Sequence, residues 1–148
     1  MDVSGTIGAV LNQKSREIYS VSPDETVFEA VQLMDAKNVG ALLVMEGERL
    51  VGIISERDYT RKVALKGKSS KQTAVREIIS GQVIHVEPEH TIEDCMRLMT
   101  EHRIRHLPVL EGSRIIGIVS IGDLVNWIIS AQHSTIQQLQ TYISGYPA

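Results

Sequence analysis

The chain reads as an α+β protein: two β-α-β-β-α repeats that together form one module, followed by a further helix. Three observations predict this. First, the sequence repeats at a fixed offset of 65 residues: Pro23, Thr26, Leu33, Met34, Val44, Gly47, Gly52, Ser55 and Asp58 recur as Pro88, Thr91, Leu98, Met99, Val109, Gly112, Gly117, Ser120 and Asp123. Over residues 18–63 against 83–128, roughly 14 of 46 pairs are identical, and most others exchange like for like. Second, within each copy the apolar pattern passes from alternation to a helical stripe and back to β-rich runs. Third, an amphipathic segment follows the second copy and has no counterpart after the first. A unit kept twice in register predicts two repeats that cover each other's apolar faces across a pseudo-twofold axis. Any site in one copy is then expected again in the other. The boundaries read as repeat 1 over 8–66, repeat 2 over 73–130 and a helical tail over 131–148.

Each copy opens on an alternating segment, Ile18–Val21 or Val83–Val86, closed by Pro23 or Pro88, which predicts a strand running into a turn. A helix start follows. Thr26 with Glu29, and Thr91 with Asp94, have the spacing of a capping box, in which a hydroxyl satisfies exposed helix N–H groups. Val27, Ala30, Val31 and Met34, and likewise Ile92, Cys95, Met96 and Met99, make the stripe of a helix with one buried face. Two β-rich runs come next, Ala41–Met45 and Leu50–Ser55 in the first copy, His106–Leu110 and Ile115–Ser120 in the second. Each pair flanks a short Gly-containing loop, a hairpin signal. A second helix is expected from Asp58 or Asp123. The connection Ala64–Thr73 is polar and basic, as surface linkers are. Trp127–Ile143 predicts the last helix, ended by Gly145 and Pro147, and an amphipathic helix outside a repeat reads as a packing or dimer element.

Composition narrows the function. With 148 residues, 43% hydrophobic and 22% charged, the chain can bury a core. A net charge of −3 leaves no excess of base for general phosphate neutralisation, and 4% aromatics offer few stacking platforms, so nucleic acid is not an expected partner. One cysteine, Cys95, rules out an internal disulfide and a multi-thiolate metal site. Its place on a buried stripe marks it as core, as it does Met34 and Met99. No stretch is long and apolar enough to span a bilayer, and the opening residues lack a basic region followed by an apolar one, so a cytoplasmic protein with no membrane partner is expected. The histidines His85, His90, His102, His106 and His133 show no HxH or HExxH spacing, and no phosphate loop of the nucleotide-hydrolysing type is present. A metal site and catalysis are therefore not expected; a bound nucleotide would be sensed without being turned over.

The sharpest local pattern is Gly52-Ile53-Ile54-Ser55-Glu56-Arg57-Asp58 and its copy Gly117-Ile118-Val119-Ser120-Ile121-Gly122-Asp123. One reading is structural: Ser-x-x-Asp caps a helix and Gly permits close packing. The other is functional. A helix start offers N–H groups and a hydroxyl to a phosphate, and a carboxylate in that turn can accept both hydroxyls of a ribose cis-diol. Ahead of the second strand, the copies differ. The second reads Glu101-His102-Arg103-Ile104-Arg105-His106-Leu107-Pro108-Val109, with Arg105 and His106 at the strand's rim, where Arg suits phosphate. The first reads Asn38-Val39-Gly40-Ala41-Leu42. Two sites related by the repeat are thus chemically unequal.

These residues carry a resemblance. The h-x-h-x-P openings, the HRIRHLPV turn and the paired GIISERD and GIVSIGD segments resemble a tandem pair of cystathionine-β-synthase (CBS) domains, a Bateman module, over about residues 8–130. The ERDYxRKV continuation and the Tyr142-Ile143-Ser144-Gly145 tail resemble stand-alone bacterial and organellar CBS-pair proteins. The resemblance implies a regulatory binder of adenosine compounds: AMP first, with ATP or NAD(H) as alternatives and S-adenosylmethionine within the class, held in two clefts between the repeats. It implies that Asp58 and Asp123 hold ribose, that Ser55 and Ser120 meet phosphate, and that Arg57 and Gly122 line the phosphate path. In the Asp123 cleft, adenine is expected against Val39, Gly40 and Ile118, closed by Lys14, Ser15 and Arg16. In the Asp58 cleft, Ile104, Arg105 and Ile53 take those places, with Ile79–Gly81 opposite. Arg105 and His106 are expected within reach of phosphates. A homodimer, energy sensing and signalling to a target protein belong to the same expectation. The alternative is a structural dimerisation or interaction module with no physiological nucleotide.

Overall fold

A computed structural model describes residues 5–14, 17–79 and 82–144. The chain divides into two units, Glu17–Ile84 and a second made of Met1–Arg16 with His85–Ala148. The α+β class and the C-terminal helix are as the sequence predicts.

In the first unit, β1 (Ser20–Val21) lies parallel to β2 (Ala41–Glu46), which pairs antiparallel with β3 (Arg49–Ser55). Helix α2 (Val27–Lys37) starts at Thr26, whose hydroxyl accepts from the Glu29 N–H at 3.1 Å, and ends at Asn38 in the left-handed region. Its apolar stripe joins both sheet and linker in one core: Val21, Val27, Ala30, Met34, Leu42, Val44, Ile54, Val63, Val75 and Ile78. Helix α3 (Glu56–Tyr59) is short and passes into a wide π turn over Thr60–Ala64. The chain then returns to this unit: Val75 donates to the Glu25 carbonyl (2.8 Å) and Arg76 to that of Pro23 (2.9 Å), beside a 3-10 turn at Val75–Glu77.

The second unit has the same plan. Helix α4 (Ile92–His102) is capped by Thr91 and Asp94 and buries Ile92, Cys95 and Met99. Strands β4 (His106–Glu111) and β5 (Arg114–Ser120) form a hairpin with a register shift at Val109/Leu110, matching the shift at Val44/Met45. The segment packed on this unit comes from the start of the chain. Helix α1 (Ile7–Asn12) is capped by Thr6, and Ile7 and Gly8 donate to the carbonyls of His90 (2.9 Å) and Pro88 (3.0 Å). Gly117 in β5 permits the close approach: a Cβ there would lie 2.7 Å from Leu11 Cδ2, as one on Gly52 would lie 2.8 Å from Ile79 Cδ1.

Two expectations change. The opening strand expected at Val83–Val86 reduces to one bridge, Val86 with Val109. The cause is Pro108. Its equivalent Leu43 donates its N–H to the Tyr19 carbonyl at 3.2 Å, and proline has none to give Ile84. The tail expected as a separate helix is continuous with the one at the second Ser–Asp turn. Helix α5 runs unbroken over Ile121–Ser144, about 36 Å.

Candidate functional site

Both Ser–Asp turns stand where a hairpin strand hands over to a helix, and the sequence dictates each contact. At the end of β3, the Ser55 N–H donates to Asp58 Oδ2 (2.9 Å), Ser55 Oγ donates to the same oxygen (3.0 Å), and the Asp58 N–H returns a bond to Ser55 Oγ (3.2 Å). At the end of β5, the Ser120 N–H donates to Asp123 Oδ2 (2.8 Å) and the Asp123 N–H to Ser120 Oγ (3.2 Å). The cap is formed in both copies. It does not exhaust the carboxylates, since each can accept about four hydrogen bonds. The Asp58 and Asp123 side chains keep 25% and 21% of their surface exposed, so both are open to a ligand.

A lysine meets each carboxylate, from different places in the chain. Lys14 Nζ lies 2.6 Å from Asp123 Oδ2 and donates to the Ile118 carbonyl at 2.9 Å. Lys62 Nζ lies 3.2 Å from Asp58 Oδ1 and donates to the Ile78 carbonyl at 2.8 Å. The repeat does not align these lysines: the position of Lys14 is Ile79 in the other copy, and that of Lys62 is Trp127. The same arrangement is therefore built from non-equivalent residues. Lys62 was not singled out from the sequence, although its i,i+4 spacing from Asp58 was a readable signal.

The remaining candidates fall in place within their own units. Gly40 and Arg105 are equivalent, and each carbonyl accepts the first N–H of the following helix, from Glu56 at 3.0 Å and Ile121 at 2.9 Å. Val39 and Ile104 are half-buried just before them, with N–H groups bonded to Met34 and Met99. Ile53 pairs with Leu43, and Ile118 with Pro108. Opposite Ser55 the sheet carries Ala41; opposite Ser120 it carries His106. The inequality between copies thus sits directly across from the serines. Burial holds the His106 imidazole below its usual pKa of 6.5, with Asp123 opposing that shift and Lys14 and Arg105 adding to it. Neutral His106 therefore has both a donor and an acceptor nitrogen beside the turn. Arg57 is half-buried, Gly122 is exposed, and a Cβ on Gly122 would meet only Ser120 Oγ, at 3.6 Å. Ser15, Arg16 and Gly81 lie outside the described residues.

The CBS-domain family model matches residues 8–65 and 75–130. The chain belongs to the CBS-domain family. The mitochondrial CBS domain-containing protein CBSX3 of Arabidopsis thaliana is 41% identical over 151 residues, covering 96% of this chain and 73% of that protein. The CBS domain-containing protein YhcV of Bacillus subtilis is 35% identical over 118 residues, 80% of this chain and 84% of its own. Among solved structures, a protein with CBS domains from Burkholderia ambifaria superposes with a TM-score of 0.84 at 49% identity, covering 86% of this chain and 96% of that one. The CBS domain pair of protein MJ0100 superposes at 0.75 over 86% of this chain and 98% of that one; at 21% identity that likeness concerns the fold. Among the described residues, no helix is long and apolar enough to cross a membrane.

Proposed function

We propose that this CBS pair is a non-catalytic regulatory module that binds an adenosine-containing ligand at its Ser–Asp turns and signals occupancy to a partner protein. The observation that carries this reading is the twice-built turn, in which a partly exposed carboxylate, a serine hydroxyl and a lysine ammonium converge. Asp123 and Asp58 would accept the ribose hydroxyls, and Ser120 and Ser55 would meet phosphate. A diol arriving at Asp123 competes with Lys14, and the released ammonium is then available to a phosphate oxygen. AMP is the first candidate, with ATP and NAD(H) as alternatives. The MJ0100 pair was solved with 5′-methylthioadenosine and S-adenosyl-L-methionine. Both are adenosine compounds, and this makes the class the first to test here. Self-association and a cytoplasmic setting are part of the same proposal.

The test is thermal unfolding with AMP, ATP, NADH and S-adenosylmethionine. A ligand at a hundred times its Kd adds about 2.7 kcal/mol of stability. AMP is expected to act and its 2′,3′-dideoxy analogue to act much less. No shift with any of the four would leave the interaction module without a physiological nucleotide as the better reading.

A further inference from the structure

Helix α5 leaves an apolar seam uncovered in its own unit. Leu124 and Ile128 face the core and are buried. Val125, Ile129, Ile136, Leu139 and Ile143 are exposed, from 41% at Val125 to 82% at Ile143. At 100° per residue these five fall within a stripe roughly 80° wide. Their spacing is a heptad: Ile129, Ile136 and Ile143 recur every seven residues, with Val125, Gln132 and Leu139 at the intervening positions. A repeat of seven, shorter than two full helical turns, fits one partner of the same period.

We infer that this seam pairs with the same seam of a second copy, as a short parallel two-stranded coiled coil. Three features select a second copy. β-branched residues at every first core position with leucine or valine at the second favour two parallel strands. From Leu124 to Ala148 the sequence holds no Asp, Glu, Lys or Arg, so no like charges oppose self-pairing and none recruit a charged partner. Two such stripes together bury on the order of 1,000 Å2, the lower bound for a specific interface. Gln132 at one core position fixes the register, because a parallel in-register pair brings the two amides together. This deepens the self-association in the proposed function and leaves the ligand at the Ser–Asp turns out of account.

The test is sedimentation equilibrium on the full chain at micromolar concentration, for wild type and for Ile136→Lys/Leu139→Lys. Both positions are more than half exposed, so the folded unit does not depend on them, and AMP-dependent thermal stabilisation is measured on the same samples to judge the ligand reading separately. A dimeric wild type and a monomeric double variant of unchanged helix content support the seam. A monomeric wild type, or a double variant that remains dimeric, overturns it. Orientation is read from Ile143→Cys under oxidising conditions. A parallel pair gives the 143–143 disulfide. An antiparallel one sets Ile143 opposite Val125, about 27 Å along the helix, and yields none, which overturns the parallel arrangement.

Discussion

Lys14 and Asp123 stand 109 residues apart in sequence, and Lys14 Nζ touches Asp123 Oδ2 at 2.6 Å. The contact ties the segment after α1 to the start of α5. It also places a cation on the carboxylate proposed to receive a ribose. Both roles are separable by substitution.

Lys14→Met removes a partly exposed ion pair, so the expected loss of stability is no more than about 1 kcal/mol by urea unfolding. If a diol competes with Lys14, adenosine binds this variant roughly three- to fivefold more tightly, and AMP loses a phosphate contact and gains less or weakens. Titration calorimetry with the two ligands checks the split. Equal changes for both would remove Lys14 from the ligand's path.

Asp123→Ala takes away an acceptor for the Ser120 N–H as well as the proposed ribose contact. About 1 kcal/mol of stability is expected to go with the cap, and AMP affinity is expected to fall at least tenfold. Asp123→Asn keeps a carbonyl oxygen for the cap. It should recover most of the stability while binding AMP poorly.

Gly117→Ala drives a methyl to 2.7 Å from Leu11 Cδ2, with Leu11 Cδ1 at 3.2 Å, and Leu11 is only 1% exposed. A fully enclosed side chain has nowhere to turn, and a cost of about 1–3 kcal/mol is expected. Gly52→Ala meets Ile79, which is half-buried and can yield. The denaturation midpoint should therefore fall further for Gly117→Ala than for Gly52→Ala.

Burial lowers the His106 pKa from 6.5 in the folded chain. The unfolded chain takes up its proton first as pH falls, so it binds more protons in that interval. Stability is expected to decline as pH drops through 6.5 and to level off below the folded value. His106→Asn should flatten that part of the profile, measured as melting temperature between pH 8 and pH 5.

Cys95 is buried on α4, and desolvation pushes its thiol up to about 12, with Asp94 adding to the shift. A thiolate-selective reagent at pH 8 should leave the native protein unlabelled and label it fully in denaturant. Rapid labelling of native protein would show that α4 opens readily.

Much of this was legible because the sequence states it twice. The caps at Thr26 and Thr91, the hairpins and the paired Ser–Asp turns follow from local spacing, and a 65-residue offset confirms each by its copy. What was not legible is where the repeat breaks its own rule. The lost strand at Val83–Val86 depends on a single missing N–H at Pro108, which is far away in sequence. Lys14 and Lys62 occupy unrelated positions in the repeat, so comparing the copies conceals their common role. The partner of Lys14 is set by tertiary packing of α1, which no local pattern reports.

The ownership of α1 also imposes an order in time. Glu17–Ile84 is an unbroken stretch and can fold as soon as it leaves the ribosome. Ile7 and Gly8 must wait for His90 and Pro88 to be synthesised before their backbone bonds can close. The first residues made are thus among the last to be fixed. Until then Ile7, Val10 and Leu11 remain an uncovered greasy leader, and a chain stalled in its second half would present them to chaperones.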